Sequence, residues 1–236
     1  MGKHEVKHPP SDVPGVVGKP FRKALAWAAE LHQDQHRKGK PGVPYVSHLL
    51  GVTAIVLETG GSETEAIAAL LHDSIEDHQV PDEEIRRRFG LRVLEIVRAC
   101  TDDLVAPGDD PEQADDVTPP RTAANWAARK AAYLDHLAAV EDQSTLLVTA
   151  ADKLHNARAI VDDLRTAPPA WAAFNASPVQ QLEYYDRLRE VLAGRIPPAL
   201  DHEFAAAVRE MAGLTNVEVE TAAWRAARPD LGPWDD

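Results

Sequence analysis

The run Ala66-Ile67-Ala68-Ala69-Leu70-Leu71-His72-Asp73-Ser74-Ile75-Glu76-Asp77 constrains this chain most. Its apolar residues, Ile67, Leu70, Leu71 and Ile75, fall at helical spacings, which predicts a helix over Ala66 to Asp77. Residues three and four apart share a helix face. His72 then stacks near Glu76, and Asp73 near both Glu76 and Asp77. One imidazole and three carboxylates crowd a patch on a helix whose other side is apolar. Such a patch repels itself unless positive charge sits there. A divalent metal answers the need, since imidazole nitrogen and carboxylate oxygen suit Mn, Fe, Co, Ni or Zn. The alternative is a solvated acidic helix end with a histidine at the edge of the core.

The rest of the chain is helical in pattern. An apolar stripe of Ala24, Trp27, Ala28 and Leu31 marks a first helix. Ser47 is placed to cap a second, running through Leu50, Val52, Ile55 and Val56 and stopped at Gly60-Gly61. Ser62 with Glu65 forms a capping box ahead of the His72 helix. Pro81 opens a short helix that Gly90 ends, and Leu91 to Thr101 forms the next. Helices are expected again over Thr122–Val140, Ser144–Arg165, a segment opened by Ser177-Pro178, Ala199–Ala212 and Asn216–Ala227. No alternation of useful length marks a strand. The expected fold class is all-α, a compact bundle of about ten helices.

Residues 1–19 are polar and contain Pro and Gly, and read as a flexible tail in which His4 and His8 are incidental. Residues 20–228 form the expected domain, and 229–236 a C-terminal tail. The stretch 102–120 is acidic, rich in Pro, Asp and Gly, and aperiodic. Its length is that of a functional lid or a disordered loop.

At 236 residues a single domain is favoured. The lone Cys100 excludes an internal disulfide and fits a reducing compartment; its place among Leu94, Ile96 and Val97 suits apolar filler. No run is apolar enough to span a bilayer, and the N-terminus shows no signal peptide, so a cytoplasmic location is expected. The net charge of −13 argues against nucleic acid and anionic membrane as partners. A small anionic substrate remains compatible where basic residues are concentrated locally. The oligomeric state is left open.

Two further segments add to the His-Asp pair. Arg37-Lys38-Gly39-Lys40-Pro41-Gly42-Val43-Pro44-Tyr45-Val46-Ser47-His48 is a basic loop that leads into a helix-opening histidine. Ala151-Asp152-Lys153-Leu154-His155-Asn156 places an aspartate after the apolar Leu146-Leu147-Val148, with an amide at i+4 on the same face.

On these motifs the chain resembles the metal-dependent HD phosphohydrolases. More narrowly it resembles the (p)ppGpp hydrolase domain of the Rel/Spo family in its short form, the small alarmone hydrolases. The matching residues are Ala28 to His32, Gln35, Arg37-Lys38, Pro44-Tyr45, His48, His72-Asp73, Glu76-Asp77, Phe89-Gly90, Thr101, Arg129-Lys130 and Asp152 to Asn156, between about Phe21 and Leu164. The resemblance implies that His48, His72, Asp73 and Asp152 hold one divalent metal, most often Mn2+. It implies that Glu76 and Asp77 orient or activate the attacking water. It gives Arg37, Lys38, Tyr45, Arg129, Lys130 and Asn156 to the nucleotide substrate. Lys153 follows the ligand Asp152, and helical geometry is expected to turn it elsewhere, into a structural ion pair at least as readily as into catalysis. The chain departs from the family where Leu49 follows His48 in place of Pro, where Ala159 stands for a Thr, and in the length of the Arg37–His48 loop. The function implied is removal of 3′-pyrophosphate from (p)ppGpp. The alternatives are hydrolysis of another nucleotide (an adenosine alarmone, a nucleoside monophosphate or a dinucleotide phosphate) and a non-catalytic nucleotide-binding regulator.

Overall fold

A computed structural model describes residues 9–38, 40, 42–101, 123–166, 171 and 176–215. The acidic stretch 102–120, the helix expected over Asn216–Ala227, the tail at 229–236, and His4 and His8 lie outside the described residues. The described residues form ten helices and no strand beyond an isolated bridge between His36 and Pro44. In chain order they are α1 (Lys19–Leu31), α2 (Val46–Glu58), α3 (Glu63–Leu71), α4 (Ser74–His78), α5 (Asp82–Phe89), α6 (Leu91–Cys100), α7 (Ala123–Ala139), α8 (Gln143–Thr166), α9 (Pro178–Leu192) and α10 (Pro198–Leu214). The all-α expectation holds. None of these helices is long and apolar enough to cross a membrane.

Two helices organise the rest. α3 is buried at every position except Glu65, so its neighbours α1, α2, α6 and α8 surround it. α8, 24 residues long, packs on α2, α3, α6 and α10. Ion pairs Arg158–Glu203 and Arg165–Glu210 run along the outside of the α8–α10 seam. The core beneath them includes Leu49, Leu70, Leu71, Ile96, Leu154 and Phe204, all nearly or wholly inaccessible. Burying a Leu or Ile side chain contributes roughly 1.5–3 kcal/mol.

Local signals fix several boundaries. The Ser62–Glu65 capping box is present: the Glu65 amide donates to the Ser62 hydroxyl, and the Ser62 amide donates to Glu65 Oε2 at 2.6 Å. Ser177 caps α9 in the same way with Gln180. Gly90 separates α5 from α6 at φ 97°, a left-handed value that a side chain would strain. Ser47 does not cap α2. The helix begins at Val46 behind Tyr45, and the Ser47 hydroxyl donates back to the Pro44 carbonyl at 2.8 Å.

Two further expectations are corrected. The helix predicted over Ala66–Asp77 is interrupted at His72-Asp73, between α3 and α4. Side chains take the carbonyls of the last turn: Ser74 Oγ donates to Leu71 O at 2.6 Å, and His72 Nδ1 lies 2.8 Å from Ala69 O. The Asp77 amide still reaches Asp73 O at 2.8 Å, so the chain keeps its helical course across the break. The second correction concerns the N-terminal tail. Its part from Ser11 to Gly18 is tied to buried Glu63 at the start of α3, whose carboxylate accepts from the amides of Ser11, Gly18 and Phe21 at 2.9, 2.6 and 3.1 Å. An acidic side chain at a helix N-terminus is also stabilised by the helix dipole.

Cys100 is partly buried with its thiol near Thr149 Oγ1 at 3.5 Å. Burial pushes the thiol up to about 11, which leaves it protonated and inert at neutral pH.

Candidate active site

The first turn of α2, the α3–α4 break and the middle of α8 bring four side chains together. Ligand-capable atoms of His48, His72 and Asp73 all lie within 4.8 Å of one another. Asp152 Oδ1 joins them, 3.2 Å from His48 Nε2 and 3.6 Å from His72 Nε2. Asp73 Oδ2 is 2.9 Å from His72 Nε2 and 3.6 Å from His48 Nε2. His72 and Asp73, consecutive at the α3–α4 break, both reach the cluster, His72 through Nε2 and Asp73 through Oδ2.

The electrostatics favour positive charge at the centre. Burial pulls the His72 imidazole down, but the nearby Asp73 and Asp152 carboxylates outweigh it and leave its pKa well above the ordinary 6.5. Burial pushes Asp73 and Asp152 up; His72 overrides this for Asp73, and Lys153 with His48 and His72 does so for Asp152, leaving both carboxyls below their usual range. His48 is lowered, chiefly by burial. The donor set fits a metal ion on a separate observation. His72 Nε2 is buried and makes no well-aligned hydrogen bond, although carboxylate oxygens of Asp73 and Asp152 lie 2.9 and 3.6 Å away. Two imidazole nitrogens and two carboxylate oxygens are a donor set for a divalent first-row metal.

Each acidic member has an outer partner. Tyr45 Oη donates to Asp73 Oδ2 at 2.6 Å. Burial and the carboxylates raise the Tyr45 pKa far above 10, so it stays a donor. Asn156 Nδ2 donates to Asp152 Oδ1 at 2.6 Å, and Arg37 Nη2 donates to Asn156 Oδ1 at 2.9 Å. Lys153 Nζ lies 2.9 Å from Asp152 Oδ2. That corrects the expectation that helical geometry turns Lys153 elsewhere. Its long stem lets the ammonium fold back over the helix.

Glu76 and Asp77 sit on α4, one turn beyond the break. Asp77 is exposed at the site's edge, and its Oδ2 accepts from Gln35 Nε2 at 2.8 Å. Gln35 Oε1 in turn lies 2.6 Å from His32 Nδ1 and 3.1 Å from His78 Nε2.

Beside the cluster lies an open cavity of about 300 Å³. Of the residues assigned to substrate by resemblance, Arg37, Lys38, Tyr45, Lys130 and Asn156 line it. Arg129 is not among its lining residues, because consecutive helix positions face different ways and Lys130 takes the inward one. The sequence reading missed Lys40, Trp126, Lys153, Gln181, Tyr184 and Tyr185 as lining residues. Trp126 on α7 and Gln181, Tyr184 and Tyr185 on α9 carry no signal beyond ordinary helix patterning, while Lys40 lies in the loop before α2 and Lys153 on α8. The cations rest on aromatic rings: Lys130 Nζ is 4.9 Å from the centre of Tyr184, Lys153 Nζ 5.1 Å from Tyr133, and the Arg37 guanidinium 5.9 Å from Tyr45. Arg37, Lys38, Lys40, Lys130 and Lys153 thus concentrate positive charge in a protein of net charge −13. Among the described residues Asp163 is the one carboxylate lining this cavity, and it pairs with Lys40 at 2.9 Å. The arrangement suits an anion with an aromatic part, held next to a metal centre.

The profile of the HD domain family matches residues 24–174, and the chain belongs to that family. Within it, similarity is to enzymes named guanosine-3′,5′-bis(diphosphate) 3′-pyrophosphohydrolase MESH1. The Xenopus tropicalis protein is 34% identical over 189 residues, 77% of this chain and 90% of the relative. The human protein is 29% identical over the same shares of both chains. Among solved structures, a metazoan ortholog of SpoT described as hydrolysing ppGpp superposes with a TM-score of 0.63 at 26% identity, covering 84% of this chain and 98% of the other.

Proposed function

We propose that the protein is a metal-dependent hydrolase that removes the 3′-pyrophosphate of (p)ppGpp, giving GDP or GTP and pyrophosphate, in the cytoplasm. One observation carries the reading. The buried His/Asp cluster and the cation-lined cavity share residues: Tyr45, Lys153 and Asn156 each line the cavity and touch Asp73 or Asp152. A phosphate bound among the lysines therefore lies next to the ligand set. The activity for which the relatives are named supports the same reading.

In this reading His48, His72, Asp73 and Asp152 hold the ion, taken as Mn2+. A bound divalent metal acidifies its water and neutralises charge on the phosphoryl group. The chain's own residues do the rest. Glu76 and Asp77 take the proton of the attacking water, and Gln35 holds Asp77 in place through its amide. The water oxygen bonds to the phosphorus as the bond between phosphorus and the 3′ oxygen breaks, and the proton held by the Glu76–Asp77 pair passes to that 3′ oxygen as it leaves. Lys130 and Lys153 pair with the pyrophosphate, and Lys38 with the remaining phosphates. Arg37, already against Tyr45, stacks on the purine, and Asn156 meets the nucleoside. Arg129, which does not line the cavity, is given no substrate contact in this reading.

The test is incubation of the purified, Mn2+-loaded protein with ppGpp and with a panel of other nucleotides, followed by identification of products. GDP and pyrophosphate from ppGpp are expected. Cleavage of other nucleotides with no pyrophosphate from ppGpp would shift the reading to a different nucleotide. Tight ppGpp binding without turnover of any nucleotide would favour a regulator.

A further inference from the structure

His48 and His72 present the same atom, Nε2, to the carboxylates of Asp73 and Asp152, but their other ring nitrogens are held differently. His72 Nδ1 meets the carbonyl of Ala69, which can only accept. One proton is therefore fixed on Nδ1, and Nε2 is the nitrogen that faces the cluster and would offer its lone pair to a cation. His48 Nδ1 instead lies 2.9 Å from Nδ1 of His155, one turn after Asp152 on α8. Between two imidazoles, either ring can donate. With the proton on His48 Nε2, His48 donates to Asp152 Oδ1 at 3.2 Å and has no lone pair for a cation. With the proton on His48 Nδ1, His155 must accept it.

Gly51 makes the contact possible. It lies on α2 one turn after His48, and a Cβ there would overlap the His155 ring. Any other residue at 51 displaces the imidazole from His48.

We infer that His155 is a positioning residue for the metal centre: its Nδ1 accepts the Nδ1 proton of His48, which turns the His48 Nε2 lone pair toward Asp73 and Asp152, and Gly51 is the vacancy in α2 that admits it. The inference rests on the metal reading of the His/Asp cluster. Outer partners of this kind fix the tautomer and the ring plane of a ligating histidine, and their loss costs roughly 10- to 100-fold in metal affinity.

The experiment uses the full chain stripped of metal. Mn2+ affinity is measured by competition with a chromogenic chelator, beside the melting temperature of the metal-free protein. His155→Phe keeps a ring but has no acceptor, and should weaken Mn2+ binding by roughly 10- to 100-fold. Gly51→Ala should do the same by pushing an intact His155 aside. His155→Asn places an amide oxygen where Nδ1 accepted and should recover most of the affinity. The metal-free melting temperatures of the Phe and Asn variants should match each other. Wild-type affinity in His155→Phe overturns the inference. So does an Asn variant as weak as Phe, or a loss of affinity that merely tracks a fall in melting temperature. A wild-type protein that binds no Mn2+ rejects the metal reading itself, whereas tight wild-type binding unchanged in the variants rejects only the role of His155.

Discussion

The His/Asp cluster and the cation-lined cavity share a wall but are built by opposite means. The cluster uses short side chains on core-facing turns of α2, the α3–α4 break and α8, with each acidic member tied to a further partner. Leu49, Leu71 and Leu154, its sequence neighbours, are fully buried, so the backbone under it has no room to shift. The cavity uses long lysines and an arginine that reach in from a loop, α7 and α8 and rest on tyrosine faces. Lys40 and Asp163 at its mouth remain about a quarter exposed. A preorganised cluster fails when any one member is lost, while a cavity lined by several cations gives way by degrees. Under the proposed function, the chemistry falls in the rigid half and the adaptable recognition in the other.

The comparison predicts a ranking. Asp152→Ala stands at the top, because Asp152 touches both histidines, Lys153 and Asn156. Mn2+ affinity should fall by more than the roughly 100-fold that marks loss of an outer partner, and turnover should drop to background. Metal content by mass spectrometry checks the first and product assay the second. Full wild-type turnover after exhaustive chelation would break the metal half of the comparison outright.

Glu76→Gln and Asp77→Asn come next. They keep size and leave the four ligands in place, so metal content should be unchanged while kcat falls by roughly 100- to 10,000-fold, the range for a lost general acid or base. Near-normal rates in both would move proton transfer to another group.

Arg37→Ala probes the cavity half. Losing a stacked or phosphate-paired guanidinium costs on the order of 1–3 kcal/mol, roughly five- to a hundredfold in kcat/KM. The loss should be larger for ppGpp than for a small generic phosphodiester, and metal content should hold. An unchanged ratio between the two substrates would remove this loop from specificity.

Acid separates the two regions by stability. Burial lowers the pKa values of His32, His48 and His155, the last to about 4. In metal-free protein the unfolded chain binds these protons near pH 6.5 and the folded chain resists them. Their contribution is complete above pH 6.5 and is lost as pH falls toward 4. His72 works the other way, full below 6.5 and lost as pH rises through its elevated folded value, so it does not offset the fall in this window. Thermal melts in chelator should drop between pH 6.5 and 4 by more than the roughly 2–4 °C that 1 kcal/mol represents in a chain of this size. A flat profile would show that the histidines are less desolvated than their packing implies.

Lys40→Ala is the smallest change. Its pair with Asp163 is partly exposed, and such pairs contribute about 0–1 kcal/mol. Melting temperature should hardly move, and kcat/KM for ppGpp should change by less than for Arg37→Ala. A larger loss than at Arg37 would make the mouth of the cavity, and not its inner wall, the point of recognition.

The sequence by itself determined what depends on neighbours a turn away. Absence of alternation meant helices; Ser62 with Glu65 set the start of α3, and Gly90 the junction of α5 and α6. The pairing of Asp152 with Asn156 follows from i,i+4 spacing alone, and the hydrogen bond between them is there. The histidine and aspartate motifs were legible through resemblance. Tertiary structure decided what depends on segments far apart in the chain. Periodicity could not show that the helix breaks at His72-Asp73, because side-chain bonds to Leu71 and Ala69 carbonyls compete with the helical ladder there. Nor could it show that Glu63 gathers amides from Ser11, Gly18 and Phe21, or that Lys153 folds back to Asp152. The meeting of residues 48, 72, 73 and 152, and the tyrosines that α9 contributes to the cavity, come from how the helices pack. Local hydrogen bonding and hydrophobic period are written residue by residue; the direction in which a side chain meets a distant one is set only when the core closes around both.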